Sequence, residues 1–292
     1  LRDIDGALHV VHGLPWLGRK TKQGPVIYIA AEGGSGLWSR VLAWHRSRNL
    51  RWQEAPFYVV PVAIDLKSDA WRVVEAAQAL SLKPSMVVVD TLSQTYAGEE
   101  NSANEMAAYL REIGLRFRSL WSCAVTLVHH SGHNVTERPR GSSAIRANVD
   151  FLLGVFRDEK EMLATLTCEK QKDGDLFDDA TFSLSVHTLG TDEDGDNVSS
   201  LVARHLTSAE EVEVASAEEV KAGRIGKNQL LLSLVQNGMP EAGLRKAFGE
   251  DCGIADSESR NRVYRRARSW AIKQGYIDIA QGIVITLKGG QK

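Results

Sequence analysis

Short apolar runs separated by amphipathic segments fill the first two hundred residues. Residues 26–31 (VIYIAA) and 86–89 (MVVV) are apolar at consecutive positions, the pattern of strands buried on both faces of a parallel sheet. Residues 57–65, with Pro61 at an end or edge, and 124–128 predict two more strands. Between them, residues 36–49, 69–82 and 105–120 carry apolar positions at helical spacing. Ile4, Leu8 and Val11 show the same spacing and stop at Gly13, a C-cap residue, so the chain opens on the back half of a helix. Residues 150–155 are expected to resume the sheet, and 162–170 and 181–189 alternate as a hairpin around DGDLFDD. The order predicts an α/β domain over residues 1–205, a mostly parallel sheet flanked by helices.

Beyond it the pattern changes. Residues 206–225 are rich in Glu, Ala and Ser and poor in large apolar groups, which suits a linker. From 226 to 292 three helical stretches (229–236, the segment NGMPEAGLRKAFGE, and 258–274) precede an alternating segment around Gln281-Gly282. Three helices and a terminal hairpin predict a winged helix-turn-helix.

Composition narrows the class. The chain has 292 residues, 25% charged and 43% hydrophobic, ordinary for a globular protein. Its net charge of -2 means that any nucleic-acid contact must come from local basic patches. No apolar run reaches the ~20 residues of a bilayer span, and no signal-peptide pattern opens the chain. Three widely spaced cysteines, with no C-x-x-C, argue against a disulfide framework or cysteine zinc site and for a reducing cytoplasm.

Three predicted strands end in reactive polar residues: Glu32, Asp90 (followed by Thr91) and His130. Ligands of parallel sheets bind along the carboxyl ends of the strands, so these groups would line one rim. Glu32 would polarise an attacking water, Asp90 would hold magnesium through water, and His130 would sense a terminal phosphate. The plainer alternatives are an Asp90 that caps a turn, a Glu32 that feeds a helix amino end, and a His130 that merely ends a strand. His129, His130 and His133 lack the further ligands that a zinc site needs.

VIYIAAEGG, VVVDTLSQ, TLVHHSGH and RGSSAIRANVD together resemble the RecA-like ATPase core of the RepA-type, DnaB-related replicative helicases of plasmids and phages. The resemblance spans residues 1 to about 205. It implies ATP and Mg2+ as cofactors, Glu32 as general base, Asp90 as the Walker B aspartate beside Thr91, and His130 as the sensor. It also implies a homo-oligomer, a hexameric ring on single-stranded DNA. TLTCEKQKDG resembles the hairpin strand that reaches a neighbouring subunit's nucleotide, which makes Lys170 and Lys172 candidate fingers; the family's second residue is usually Arg, whose bidentate fork Lys172 lacks. Two exposed lysines beside a turn are the plain alternative.

No G-x-x-x-x-G-K-[ST] occurs in the sequence, so it supplies no phosphate cradle and no P-loop lysine. In the family the P-loop feeds a helix resembling LRDIDGALHVVHGLPW, which sets its Lys-Thr/Ser just before Leu1. The resemblance thus implies an N-terminally truncated ATPase, and the chain as it stands is expected to bind ATP weakly and hydrolyse little.

Two basic regions are candidates for DNA. The loop 131–143 carries His133, Arg138 and Arg140, with Arg146 just beyond; in a ring this loop would face single-stranded DNA in the channel. RNRVYRRARSW sets Arg260, Arg262, Arg265, Arg266 and Arg268 on one helix, with Val263, Ala267 and Trp270 toward the core and the arginines outward, toward duplex DNA. The leading expectation is an ATP-dependent replicative helicase. Its rivals are a RecA-like recombination mediator that does not unwind, and a non-catalytic winged-helix DNA-binding protein.

Overall fold

A computed structural model describes residues 2–32, 34–130, 144–158, 162–207, 210, 227–254 and 257–287. Strands β1 (Val26–Ala30), β2 (Phe57–Val60), β3 (Met86–Asp90) and β4 (Ala124–Leu127) form a four-stranded sheet in the order β2-β1-β3-β4. Every pairing in it is parallel. Burial of all of β1 and of Val87, Val88 and Val89 explains their unbroken apolar runs, because both faces are covered. Ile27, Ile29, Val87 and Val89 pack with α3 (Leu66–Ala79) and α4 (Ala103–Ile113). Val26, Tyr28, Ala30 and Val88 face the opposite way, into α1 (Arg2–His12) and α2 (Gly34–Ser47). This is an α/β fold with helices on both faces of a parallel sheet.

Local chemistry sets the helix ends. Asp65 caps α3 by accepting from the Lys67 N–H at 3.0 Å, and Ser102 caps α4 by accepting from Glu105 N–H at 3.4 Å. Gly13 follows α1 at φ 64°, the left-handed conformation in which glycine commonly closes a helix.

The sequence pattern assigns residues 150–155 to the parallel sheet, and the structure differs. Strand β5 (Phe151–Asp158) joins β6 (Leu163–Gln171), β7 (Ala180–Thr191) and β8 (Asn197–His205) in a second sheet of order β5-β6-β7-β8. Phe151, Leu153 and Val155 are exposed, alternating with partly buried neighbours. One-sided burial of that kind does not suit a strand covered on both faces.

The chain divides into two compact units. One comprises Leu1–Leu152, Glu159–Met162 and Ser183–Arg204; the other comprises Leu153–Asp158, Leu163–Phe182 and His205–Lys292. The second unit ends in α6 (Lys227–Leu234), α7 (Glu241–Asp251), α8 (Ser257–Lys273) and the antiparallel pair β9 (Ile277–Ala280) and β10 (Ile283–Thr286). Leu231, Leu244, Phe248, Tyr264, Ala267, Ala271, Ile277 and Val284 form its core. Gln281 and Gly282 take φ 51° and 74°, the positive values that a tight two-residue hairpin turn demands. Most of the predicted linker, residues 208, 209 and 211–225, lies outside the described residues. Cys123, Cys168 and Cys252 are free and buried. Among the described residues no helix is long and apolar enough to cross a membrane.

Candidate active site at the ends of β1 and β3

In the order β2-β1-β3-β4 the chain leaves β1 toward one edge and β3 toward the other. The carboxyl ends of β1 and β3 therefore border the crevice where such sheets take ligands. Ala30 pairs with Asp90, and the Asp90 carbonyl accepts from Ala31 N–H at 2.8 Å and from Glu32 N–H at 3.2 Å. Val128 N–H donates to the Val89 carbonyl at 2.9 Å and Leu92 N–H to the Val128 carbonyl at 2.8 Å, which brings the end of β4 alongside. The Asp90–Thr91 peptide is cis.

The side chains meet on this frame. Thr91 Oγ1 donates to Glu32 Oε2 at 3.0 Å, and His130 Nε2 lies 3.4 Å from the same oxygen. Thr91 spends its one hydrogen on Glu32, so the Ser93 hydroxyl, 3.0 Å away, donates to Thr91. Thr91 is buried, whereas the side chains of Glu32 and His130 are 48% and 65% exposed. The Glu32 carboxylate is thus steadied from within and open to solvent without. It can take a proton from a water, with the His130 imidazole beside it.

Asp90 lies on the opposite side of its strand from Val89, with Val88. Tyr28, buried in β1, donates its hydroxyl to Asp90 Oδ2 at 2.5 Å. Burial, and then the adjacent Asp90 carboxylate, hold the Tyr28 phenol far above its ordinary pKa, so it remains a proton donor. Asp3 of α1 and Arg40 of α2 are within electrostatic reach of that hydroxyl, which brings the amino end of α1 to this side. Asp90 Oδ1 makes no hydrogen bond with any described residue. One anchored oxygen and one open oxygen fit a magnesium ion that keeps most of its waters. Among the described residues no cluster of three or more His, Cys, Asp or Glu side chains has the arrangement of a metal cage.

The other predicted residues fall elsewhere. Lys170 lies in β6, but that strand ends at Gln171, so exposed Lys172 stands in the turn rather than on the same strand face. His133, Arg138 and Arg140 lie outside the described residues, and Arg146 is exposed on the short helix α5 (Ala144–Asn148). Three of the α8 arginines do not point freely outward. Arg262 stacks over the Phe156 ring at 3.8 Å, Arg265 donates to the Cys168 carbonyl at 3.5 Å, and Arg266 donates to Thr165 Oγ1.

The sequence pattern assigns no role to Tyr28 or Ser93. The signal for Tyr28 was a single polar-tipped residue inside an otherwise aliphatic buried strand, because a buried phenol needs a partner. Ser93 carried no signal beyond nearness to Asp90.

The family model described as "AAA domain" matches residues 4–135, a little under half of the chain. Among solved structures the chain is similar to one described as an ATPase domain, at 14% identity over 60% of this chain and 74% of that one, with a TM-score of 0.42. It is similar to a DnaB-like replicative helicase, described with its interactions with primase, at 14% identity, 60% and 51% coverage and a TM-score of 0.43; the match spans about half of that protein. RadB recombinase is matched at 18% identity, 56% and 76% coverage and a TM-score of 0.41. No curated protein matches the chain by sequence.

Proposed function

We propose that the chain is an ATP-hydrolysing, magnesium-dependent RecA-like motor, a replicative helicase of the RepA type that moves on single-stranded DNA as a hexameric ring. The observation that carries this reading is the meeting of Glu32, Thr91 and His130 with Asp90 alongside, at the switch point of a parallel sheet. The AAA-domain match to residues 4–135 supports it, since it spans all four groups. The domain layout that goes with it is an ATPase over residues 1–205, a linker over 206–225 and a winged helix over 226–292.

In this reading the triphosphate lies against the amino end of α1. Magnesium, when bound, neutralises charge on the phosphate oxygens. Asp90 Oδ1 would hold its water shell, while Tyr28 fixes the carboxylate through Oδ2. Glu32 accepts a proton from the attacking water, and the Ser93–Thr91 chain orients it. His130, next to Glu32, registers the terminal phosphate. Lys170 and Lys172 reach the nucleotide of the neighbouring subunit, and the loop with His133, Arg138, Arg140 and Arg146 grips the strand.

The test is phosphate release by the protein with ATP and magnesium and without DNA. Glu32→Gln keeps the shape and loses the base, so kcat should fall by roughly 100-fold or more. A variant as fast as the wild type overturns the reading. Unwinding of a forked duplex then separates a helicase from a mediator that only hydrolyses.

A further inference from the structure

Helix α8 carries five arginines, and four of them are engaged inside the second unit. Besides the contacts of Arg262, Arg265 and Arg266 already described, Arg268 Nε lies 2.8 Å from Glu241 Oε1. Arg266 Nε also faces Asp179 Oδ2 at 3.6 Å, and the side chain of Asp179 is only 3% exposed. Burial raises the Asp179 pKa, and Arg266, Arg265 and Arg262 oppose that rise. A buried carboxylate from the turn between β6 and β7 thus already sits where a phosphate would bind that arginine face. Next to it, Ser269 donates to Asp178 at 2.6 Å.

Arg260 is the exception. It makes no hydrogen bond, ion pair or ring contact with any other described residue. It lines an open groove of about 330 Å³ between α7 and α8, together with Arg245, Lys246, Ser257 and Asn261. Arg245 and Lys246 are exposed neighbours on α7, and neither has an ion-pair partner among the described residues. Among the described residues Glu250 is the one carboxylate lining the groove, against Arg245, Lys246 and Arg260. Gly249 lies on the floor, where even a Cβ would meet the Arg260 side chain only at an ordinary 3.9 Å contact.

We propose that this groove, rather than the arginine face turned toward the strands, is where the second unit holds the phosphodiester backbone of a nucleic acid. The proposal rests on reading this unit as DNA-binding and adds where the binding occurs. Charge complementarity selects the ligand class, because cations on both walls meet a linear polyanion. An open trough suits a chain passing through it. Ser257 and Asn261 add neutral hydrogen-bonding groups, which fix register on phosphate and sugar oxygens without reading sequence.

The experiment is fluorescence anisotropy of the full chain, without nucleotide. The probes are a labelled single strand of about 30 nucleotides and a duplex of about 20 base pairs, titrated across about 0.05 to 0.3 M salt. The Arg245→Ala/Lys246→Ala/Arg260→Ala protein should lose about 2 to 3 from the slope of log K against log salt, and bind about 100-fold more weakly near 0.1 M salt. The two probes tell whether the backbone held is single or double. Arg265→Ala/Arg266→Ala should keep the wild-type slope and melt at lower temperature. Arg245→Glu, a single exposed change, should weaken binding in the same direction as the triple variant. The proposal falls if the wild type binds neither probe, if the groove variant keeps its slope, or if the slope loss appears in Arg265→Ala/Arg266→Ala instead. ATP hydrolysis without DNA reads the Glu32 site alone, so a failure there leaves a positive groove result standing.

Discussion

His12 and His45 meet where α1 packs on α2, with their Nε2 atoms 2.9 Å apart. His45 Nδ1 donates to the Val41 carbonyl at 2.7 Å, so its Nε2 holds a lone pair and His12 Nε2–H donates to it. A proton on both Nε2 atoms would set two N–H groups against each other. Arg48 after α2 adds positive charge nearby and pairs with buried Asp5 at 3.3 Å. Burial first, then His45 and His9, lower the pKa of His12; burial, and to a lesser extent Arg48, lower that of His45 against the opposing bond to Val41. Folded values below the unfolded one mean that the unfolded chain binds more protons in the window between them. The stability this pair provides is whole above the ordinary imidazole value and is lost as pH falls below it, by up to about 1.4 kcal/mol per pH unit for each ring. The melting temperature should therefore drop as the buffer is taken from neutral to mildly acidic, and His45→Leu should flatten that profile. An equally steep decline in His45→Leu would remove the pair from the account. At this scale the sequence showed which residues end strands, since Glu32, Asp90 and His130 stand out after apolar runs. It did not show Tyr28 bound to Asp90, because a partner 62 residues away depends on register between strands.

Elements were more legible than contacts, and for a physical reason. Strands β1 and β3 are covered on both faces, so their sequences are apolar at every position, and α1 to α4 bury one stripe each. Strand β5 has the same residue types but buries one side only, a difference that consecutive apolar letters do not record. Arg262, Arg265 and Arg266 differ from expectation similarly: helical spacing separates them from the core stripe, yet nothing local says that β5, β6 and the turn before β7 will cover them. Joints between elements carry their own constraints. Gly24 leads into β1 beside Ser85, which leads into β3, and a Cβ on Gly24 would lie 2.0 Å from Ser85 Oγ and 2.9 Å from its Cβ. Ser85 N–H also donates to the Pro25 carbonyl at 2.8 Å, so neither segment can withdraw cheaply. Gly24→Ala should destabilise by about 1–3 kcal/mol. Urea denaturation measures it, and an unchanged midpoint would mean that the two leads separate more readily than their hydrogen bond implies.

For the molecule as a whole, a net charge of -2 conceals strong local segregation. Acidic residues cluster in the turn after β6, while α8 gathers basic ones. Part of that asymmetry is consumed internally, where Asp178 and Asp179 meet Ser269 and Arg266. Those partners lie about ninety residues apart, so the acidic turn emerges from the ribosome long before the helix that answers it. Until α8 is synthesised, Phe156 lacks its guanidinium cover and Asp179 its counter-charge. A protein stopped at residue 226 should retain that defect permanently. It should unfold at lower temperature than the intact chain and bind a dye that fluoresces on greasy surfaces, and calorimetry with dye titration would register both changes. Identical traces from the two proteins would mean the nascent turn needs no late-arriving escort.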